Sequence, residues 1–132
     1  MTITPSTPLL LDTDVVSYLL KNDSRAELYT QDLRGRLLAI SFVTIGELYR
    51  WAFSHHWGPR RIQELDARLR NMVTLPYHDD VAIQWARITS NPGRVLPQND
   101  AWIAACAITF RCTLVTHDRI FQGIPALQVI IH

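Results

Sequence analysis

The sequence predicts an α/β fold: a three-layer α/β/α sandwich in which helices cover both faces of a mostly parallel central sheet. Two observations lead to this prediction. Short apolar segments alternate along the chain with longer segments whose apolar residues recur every three or four positions. The short segments are also apolar at successive positions, which is typical of strands buried on both faces of a parallel sheet.

The first strand is predicted over Leu9–Leu11, where an apolar run stops at the carboxylate of Asp12. A polar turn follows, and the apolar pattern then resumes over Val15–Leu20 as the start of a helix. A second helix is predicted over Asp23–Arg34, and Gly35 should end it.

The middle of the chain contains the clearest helical pattern, which follows a strand over Leu37–Ser41. Its predicted buried stripe consists of Ile45, Leu48, Tyr49, Ala52, Phe53 and His56. Gly58-Pro59 should end this helix and open the next one, which runs to about Asn71. A short strand over Met72–Leu75 then stops at Pro76.

The last third should contain two helices and two strands. Asp79 or Asp80 is expected to cap the first helix. The second, over Ala101–Phe110, is apolar on every side and should therefore be buried. Strands are predicted over Thr113–Thr116 and Leu127–Ile131.

Composition is consistent with one domain over residues 1–132, in which 1–8 form a loose tail. Hydrophobic residues make up 48% and charged residues 19% of the chain. No apolar run approaches the roughly 20 residues of a membrane span. Because no secretory signal precedes the first strand, we expect a cytoplasmic protein without a membrane partner.

The sequence lacks the motifs of several function classes. Cys106 and Cys112 form no CxxC pair and are expected to be buried, reduced thiols. The five histidines have no zinc spacing, and no GxxxxGK motif is present. Of the 13 basic residues, 12 are Arg, which suits bidentate phosphate contacts and is compatible with a nucleic-acid substrate.

Four carboxylates are predicted to share one edge of the sheet. Asp12 and Asp118 follow strands, Glu47 lies in the first turn of a helix, and Asp100 opens the buried helix. In a parallel sheet, strand ends and the starts of the following helices lie at the same edge. Four such carboxylates would repel each other without a cation, and oxygen ligands without clustered Cys or His favour Mg²⁺ or Mn²⁺.

Each acid also has a purely structural interpretation. Asp12 could form an Asx-turn, and Asp118 could be another turn former. Thr44 and Glu47 match the spacing of a capping box, and Asp100 could cap its helix.

Four stretches carry a family resemblance. They read Leu-Leu-Asp-Thr-Asp-Val-Val at 10–16, Ile-Ser-Phe-Val-Thr-Ile-Gly-Glu-Leu at 40–48, Asn-Asp-Ala-Trp-Ile-Ala-Ala at 99–105 and Leu-Val-Thr-His-Asp-Arg-Ile-Phe at 114–121. In this order they resemble the PIN domain, specifically the VapC-type ribonuclease toxins of bacterial toxin–antitoxin pairs. The resemblance implies a PIN-like fold and a Mg²⁺-dependent endoribonuclease, with Mn²⁺ as the alternative metal.

The same resemblance implies roles for individual residues. The acidic quartet that binds metal and performs catalysis carries over to Asp12, Glu47, Asp100 and Asp118. Thr13, Asp14 and Thr116 would stand beside it, although Thr116 could instead be a strand residue bonded to backbone. Asp14 occupies a position that is often Asn in the family, and the position of Asp118 is the most variable of the four.

The resemblance further implies an RNA substrate, a cognate antitoxin and a homodimer. We expect an amphipathic antitoxin segment to bind a helical groove near Tyr18–Leu20, because large apolar residues there exceed what a small domain can bury. The arginine-rich helix pair at 43–72 is expected to be an arm that faces either the RNA or the second subunit. The alternative is an ordinary solvated helical hairpin.

Two other functions compete with this interpretation. Asp12-Thr13-Asp14-Val15 after a strand also resembles haloacid-dehalogenase-type phosphatases, with Asp12 as nucleophile and Asp14 as general acid. That family needs a downstream Lys, and the only Lys is Lys21. A catalytically inactive PIN-like binding module would normally lack one of the acids.

Overall fold

The structure, a computed structural model, describes residues 8–132 and consists of a five-stranded sheet with helices on both faces. The strands are β1 (Leu9–Leu11), β2 (Leu38–Ser41), β3 (Val73–Leu75), β4 (Thr113–Val115) and β5 (Val129–Ile130). The α-helices are α1 (Thr13–Lys21), α2 (Thr30–Leu33), α3 (Phe42–Ser54), α4 (Pro59–Leu69), α5 (Asp79–Thr89) and α6 (Gln98–Thr109). Two 3₁₀ helices span Ser24–Tyr29 and Arg119–Phe121. Except for Pro8, the expected N-terminal tail lies outside the described residues.

The strand order is β3-β2-β1-β4-β5, and all four pairings are parallel. The predicted α/β/α fold with a mostly parallel sheet is therefore confirmed. The chain moves outward from β1 in one direction through β2 and β3, and then crosses to β4 on the other side. The switch in direction lies between β1 and β4, and in open α/β sheets ligands bind at the carboxyl ends of the strands at such a point.

Successive residues of each strand face opposite layers of the core. Leu10 and Leu114 pack with α6 on one face of the sheet, whereas Leu11 and Val115 pack with α1, α3 and α4 on the other. Helix α6 is buried along most of its length, as its apolar sequence predicts. Cys106 and Cys112 are free and buried, also as predicted.

Two predicted helices differ in detail from the observed ones. The segment 23–34 is a 3₁₀ helix followed by the four-residue α2, because the Asp23 carboxylate accepts the Arg25 amide and tightens the first turn. Helix α3 ends at Ser54, so His56 lies beyond it with a φ of 56°. Phe53 is 63% exposed on the helix surface, so neither Phe53 nor His56 belongs to the buried stripe.

Two caps also differ from the prediction. The cap of α5 is His78, whose Nδ1 accepts the Asp80 amide at 3.1 Å, rather than Asp79 or Asp80. Helix α6 begins after Pro97, so Asp100 lies inside the first turn and is not the cap. No helix within 8–132 is long and apolar enough to cross a bilayer.

Candidate active site

Five carboxylates from four segments form one electrostatically connected cluster at the carboxyl edge of the sheet. Asp12 follows β1 and interacts with both Asp14 on α1 and Asp100 on α6. Asp100 also interacts with Glu47 on α3 and with Asp118, which follows β4. The structure therefore brings the four predicted carboxylates and Asp14 together beside the switch point between β1 and β4.

Asp12 is the most deeply placed of these acids, with 5% of its surface exposed. Its Oδ1 accepts the Thr13 amide at 2.8 Å, and its Oδ2 accepts the Thr116 hydroxyl at 2.7 Å. Burial, followed by the charge of Asp14, raises the pKa of Asp12 to about 7 despite these hydrogen bonds. Asp12 thus caps α1, rather than forming the Asx-turn of the structural interpretation, and also lies within the acidic cluster.

Burial also raises the pKa values of Asp100 and Asp14. Burial raises the pKa of Asp100 to about 6, and the charges of Asp118, Glu47 and Asp14 add to the rise. Burial also raises the pKa of Asp14, although hydrogen bonds from the His117 and Val15 amides oppose it. Like charges held close together in a partly buried site favour protonation or a bound cation.

Glu47 is oriented by a chain of hydroxyl groups that starts at the cap of α3. Thr13 Oγ1 donates to Glu47 Oε1 at 2.7 Å and contacts Thr44 Oγ1 at 2.9 Å. Because a hydroxyl has one hydrogen to donate, Thr44 must be the donor in its contact with Thr13. Ser41 Oγ caps α3 by accepting the Thr44 amide at 3.2 Å. The capping-box interpretation of Glu47 is therefore wrong, since this carboxylate contacts α1 instead of its own helix start.

Backbone amides and a hydroxyl hold the turn after β4. Thr116 Oγ1 donates to Asp12 and accepts the Asp118 amide at 3.0 Å, so it joins the two acids directly. Asp118 Oδ1 accepts the Ile120 amide at 3.0 Å, which caps the second 3₁₀ helix. Asp14 Oδ2 accepts the His117 amide at 3.1 Å and ties α1 to the same turn.

The donor set has the chemistry of a site for a hard divalent cation. It consists of carboxylate oxygens, which hard cations prefer. The ion pairs of Arg25 with Asp23 and of Arg60 with Glu64 involve other carboxylates and therefore do not neutralise this cluster. As the side chains stand in residues 8–132, no three His, Cys, Asp or Glu groups are already arranged to hold a metal ion. Within the same residues, the Asp100 carboxylate accepts no hydrogen bond, so no polar partner fixes its orientation.

Some supporting residues were not identified from the sequence. Asn99 Nδ2 lies 3.4 Å from Glu47 Oε2, and its position next to Asp100 was the available signal. The buried Tyr29 hydroxyl donates to the Thr116 carbonyl at 2.9 Å and lies 2.7 Å from His117 Nδ1. No local pattern marks Tyr29, because it reaches the turn from a distant part of the chain.

Comparison with known proteins identifies the family. The model of the family described as PIN domain matches residues 9–127. The chain belongs to the PIN domain family. Ribonuclease VapC1 of Haemophilus influenzae (strain R2866) is 31% identical over 125 residues, which cover 90% of this chain and 93% of that relative. The predicted VapC type of PIN domain is thereby confirmed.

Solved structures agree with this assignment. A structure of VapBC-1 from nontypeable Haemophilus influenzae contains a chain with 29% identity and a TM-score of 0.78, covering 93% of this PIN domain and 96% of that chain. A toxin–antitoxin complex from Klebsiella pneumoniae contains a chain with 26% identity and a TM-score of 0.74, covering 92% and 95%, respectively.

Proposed function

We propose that this PIN domain is a metal-dependent endoribonuclease and the toxin of a toxin–antitoxin pair. The observation that carries the proposal is the cluster of Asp12, Glu47, Asp100 and Asp118 at the switch point of the sheet. The names of the relatives, which describe ribonucleases, support RNA as the substrate.

The four carboxylates would hold Mg²⁺ or Mn²⁺. When bound, the ion would offset phosphodiester charge and polarise the attacking water for in-line displacement. Thr116 and the Thr13 amide fix the orientation of Asp12, and the Thr13 hydroxyl fixes that of Glu47. Preorganised ligands of this kind avoid part of the cost of ordering the site when substrate arrives.

Asp14 has a different role in this proposal. Its Oδ1 accepts the Val15 amide at 2.6 Å and its Oδ2 accepts the His117 amide. With both oxygens engaged by backbone, Asp14 braces α1 against the turn after β4. Its charge still adds to the negative field that attracts a cation.

The phosphatase alternative fits this geometry poorly. It requires Asp14 to act as a general acid, whereas both of its oxygens accept amide hydrogen bonds. It also requires a Lys beside the phosphate, but Lys21 Nζ lies over the Trp51 ring, 4.2 Å from its centroid. The inactive-module alternative is disfavoured because all four acids are present in one cluster.

Substitution of single carboxylates tests the proposed activity. Asp12→Asn and Asp100→Asn should each lower Mg²⁺-dependent cleavage of RNA by at least about 100-fold, because each removes a ligand charge. Glu27→Gln provides the control, since Glu27 is an exposed acid on the first 3₁₀ helix. Undiminished cleavage by Asp100→Asn, or by the wild-type protein in EDTA, would refute the mechanism.

The antitoxin would bind a groove between α1, α3 and α4. This groove has a volume of about 310 Å³ and is lined by Ser17, Leu20, Lys21, Leu48, Trp51, Trp57, Arg61 and Leu65. Lys21 stacks over Trp51, and the Arg61 guanidinium lies 3.9 Å from the centroid of the Trp57 ring. An apolar floor with a basic rim suits an amphipathic segment that carries acidic residues.

A homodimer completes the proposal. Several large apolar side chains remain more than a third exposed, among them Phe42, Ile83 and Tyr77. Where such side chains form a contiguous patch, the patch is typical of surfaces that associate. Light scattering of the purified protein should give twice the chain mass of 15.2 kDa, and a monomer at all concentrations would contradict this part of the proposal.

A further inference from the structure

The Arg94 side chain links the loop that leads into α6, the helix of Asp100, to the turn that carries Asp118. Arg94 lies in the loop between α5 and α6, six residues before Asp100. Its Nη2 donates to the carbonyl oxygen of Ile120, which lies two residues after Asp118.

The residue that Arg94 contacts also holds a candidate ligand. The Ile120 amide donates to Asp118 Oδ1, while the Ile120 carbonyl accepts from Arg94. A continuous path of hydrogen bonds and one residue of backbone therefore runs from the Arg94 guanidinium to the Asp118 carboxylate. The Ile120 side chain packs against the buried core, which holds this short 3₁₀ turn from its other side.

The backbone beyond Ile120 is shaped to receive the guanidinium. Gly123 has a φ of 81°, a conformation that favours glycine, and a Cβ there would lie 3.4 Å from Arg94 Nη1. Glycine at this position thus allows the turn, and the Arg94 guanidinium lies directly beside it. The same loops border a cavity of about 250 Å³, which Arg87 lines from α5.

We propose that Arg94 is a positioning residue that fixes the Asp118 carboxylate relative to Asp100 for cation binding. The inference rests on the proposed metal-dependent function. The Asp118 carboxylate depends on this short turn for its orientation, since it accepts the Ile120 amide, while the Asp118 amide donates to Thr116 Oγ1. Arg94 acts on this turn from outside the acidic cluster.

Arg94→Met tests the inference, because methionine keeps an unbranched chain of similar shape and removes the donor. Arg87→Met is the matched control: it removes an arginine that lines the same cavity but forms no hydrogen bond with residues 119–126. Mn²⁺ binding is measured by calorimetry without RNA, and protection of the Ile120 amide is measured by hydrogen exchange. RNA cleavage is then followed as a function of Mg²⁺ concentration.

In Arg94→Met we expect roughly tenfold weaker Mn²⁺ binding, which is typical for loss of a group that orients a ligand. The Ile120 amide should exchange faster, and high Mg²⁺ should restore most of the lost cleavage. Arg87→Met should match the wild type in all three measurements. Arg94→Lys, which keeps a donor and a charge, should lie between wild type and Arg94→Met, and it serves as the test if Arg94→Met does not fold.

The inference is overturned if Arg94→Met binds Mn²⁺ as tightly as the wild type. This includes the case in which Mn²⁺ binding is unchanged and only KM for RNA rises, because Arg94 would then act on RNA binding and not on the cation site. Failure of the proposed function has a different signature. In that case the wild-type protein itself would bind no Mn²⁺ and cleave no RNA, whatever residue stands at position 94.

Discussion

Asp12 is a carboxylate that the fold places where ionisation is unfavourable. It is nearly fully buried, and burial and the charge of Asp14 together raise its pKa to about 7. The two hydrogen bonds that it accepts from Thr13 and Thr116 orient the group but do not offset desolvation. In the proposed function, a bound cation would relieve the repulsion between Asp12 and the neighbouring carboxylates.

The raised pKa of Asp12 predicts how stability depends on pH without metal. Its ordinary value is 3.8, so between about pH 4 and pH 7 the folded state binds more protons than the unfolded state. The free energy of unfolding should therefore fall as pH rises through this window, by roughly 2–4 kcal/mol for a shift of this size. The raised pKa of Asp100 acts in the same direction.

Thermal unfolding of wild type and Asp12→Asn in EDTA measures this effect. Asp12→Asn should be more stable than wild type near pH 7.5, with a shallower decline of Tm from about pH 5. Glu27→Gln should follow the wild-type curve, since that acid lies outside the cluster. A wild-type Tm that rises steadily over the same pH range would contradict the placement of Asp12.

At the scale of single elements, the start of α3 separates structural from functional polar groups. Ser41 is fully buried and caps the helix, whereas Glu47 turns toward Thr13 on α1. We therefore expect Ser41→Ala to lower the free energy of unfolding by about 1 kcal/mol. Glu47→Gln should leave stability unchanged or raise it, because it removes a charge from the acidic cluster.

Chemical denaturation of the two variants distinguishes these roles, with Ser54→Ala at the exposed end of α3 as the control. If Glu47→Gln cost as much stability as Ser41→Ala, the hydrogen bond from Thr13 to Glu47 would be a structural contact between α1 and α3. RNA cleavage gives the complementary measurement and should fall strongly in Glu47→Gln.

The elements could be predicted from the sequence to the extent that local patterns determine them. Apolar runs located all five strands, and the uniform apolarity of α6 indicated its burial. The 3₁₀ helix after Asp23 and the His78 cap depend on single side-chain hydrogen bonds, which hydrophobic periodicity does not report. The position of Asp12 at the carboxyl edge of the sheet required only that the strands be parallel, whereas its place at the switch point depends on the strand order, which local patterns do not report.

The contacts around the candidate site were less predictable because they join distant segments. The bond from Thr13 to Glu47 spans 34 residues, and that from Tyr29 to Thr116 spans 87. The spacing of the carboxylates predicted that they share one edge of the sheet, but it did not predict which hydroxyl groups orient them. The contact of Arg94 with Ile120 likewise requires the folded arrangement of two loops.

At the scale of the whole molecule, apolar surface remains where partners are expected. Tyr18, Leu19, Leu20, Trp51 and Trp57 are all half-buried, so the domain covers these side chains only in part. Lys21 and Arg61 stack on the two indole rings and make the rim of the groove basic. The groove therefore combines apolar area for affinity with charge for selection of a partner.

Reversal of one rim charge tests whether this groove binds the antitoxin, taken as the product of the neighbouring reading frame. Arg61→Glu should weaken the complex by about tenfold or more, because it places a negative charge opposite the expected acidic segment and removes a cation from the Trp57 ring. Arg60→Glu is the matched control, since Arg60 is adjacent in sequence and exposed, and it does not line the groove. Binding is measured by calorimetry, and RNA cleavage by the free variants should equal that of the wild type because both substitutions lie outside the acidic cluster. Equal loss of affinity in the two variants would indicate a non-specific charge effect, and no loss in Arg61→Glu would place the antitoxin on another surface.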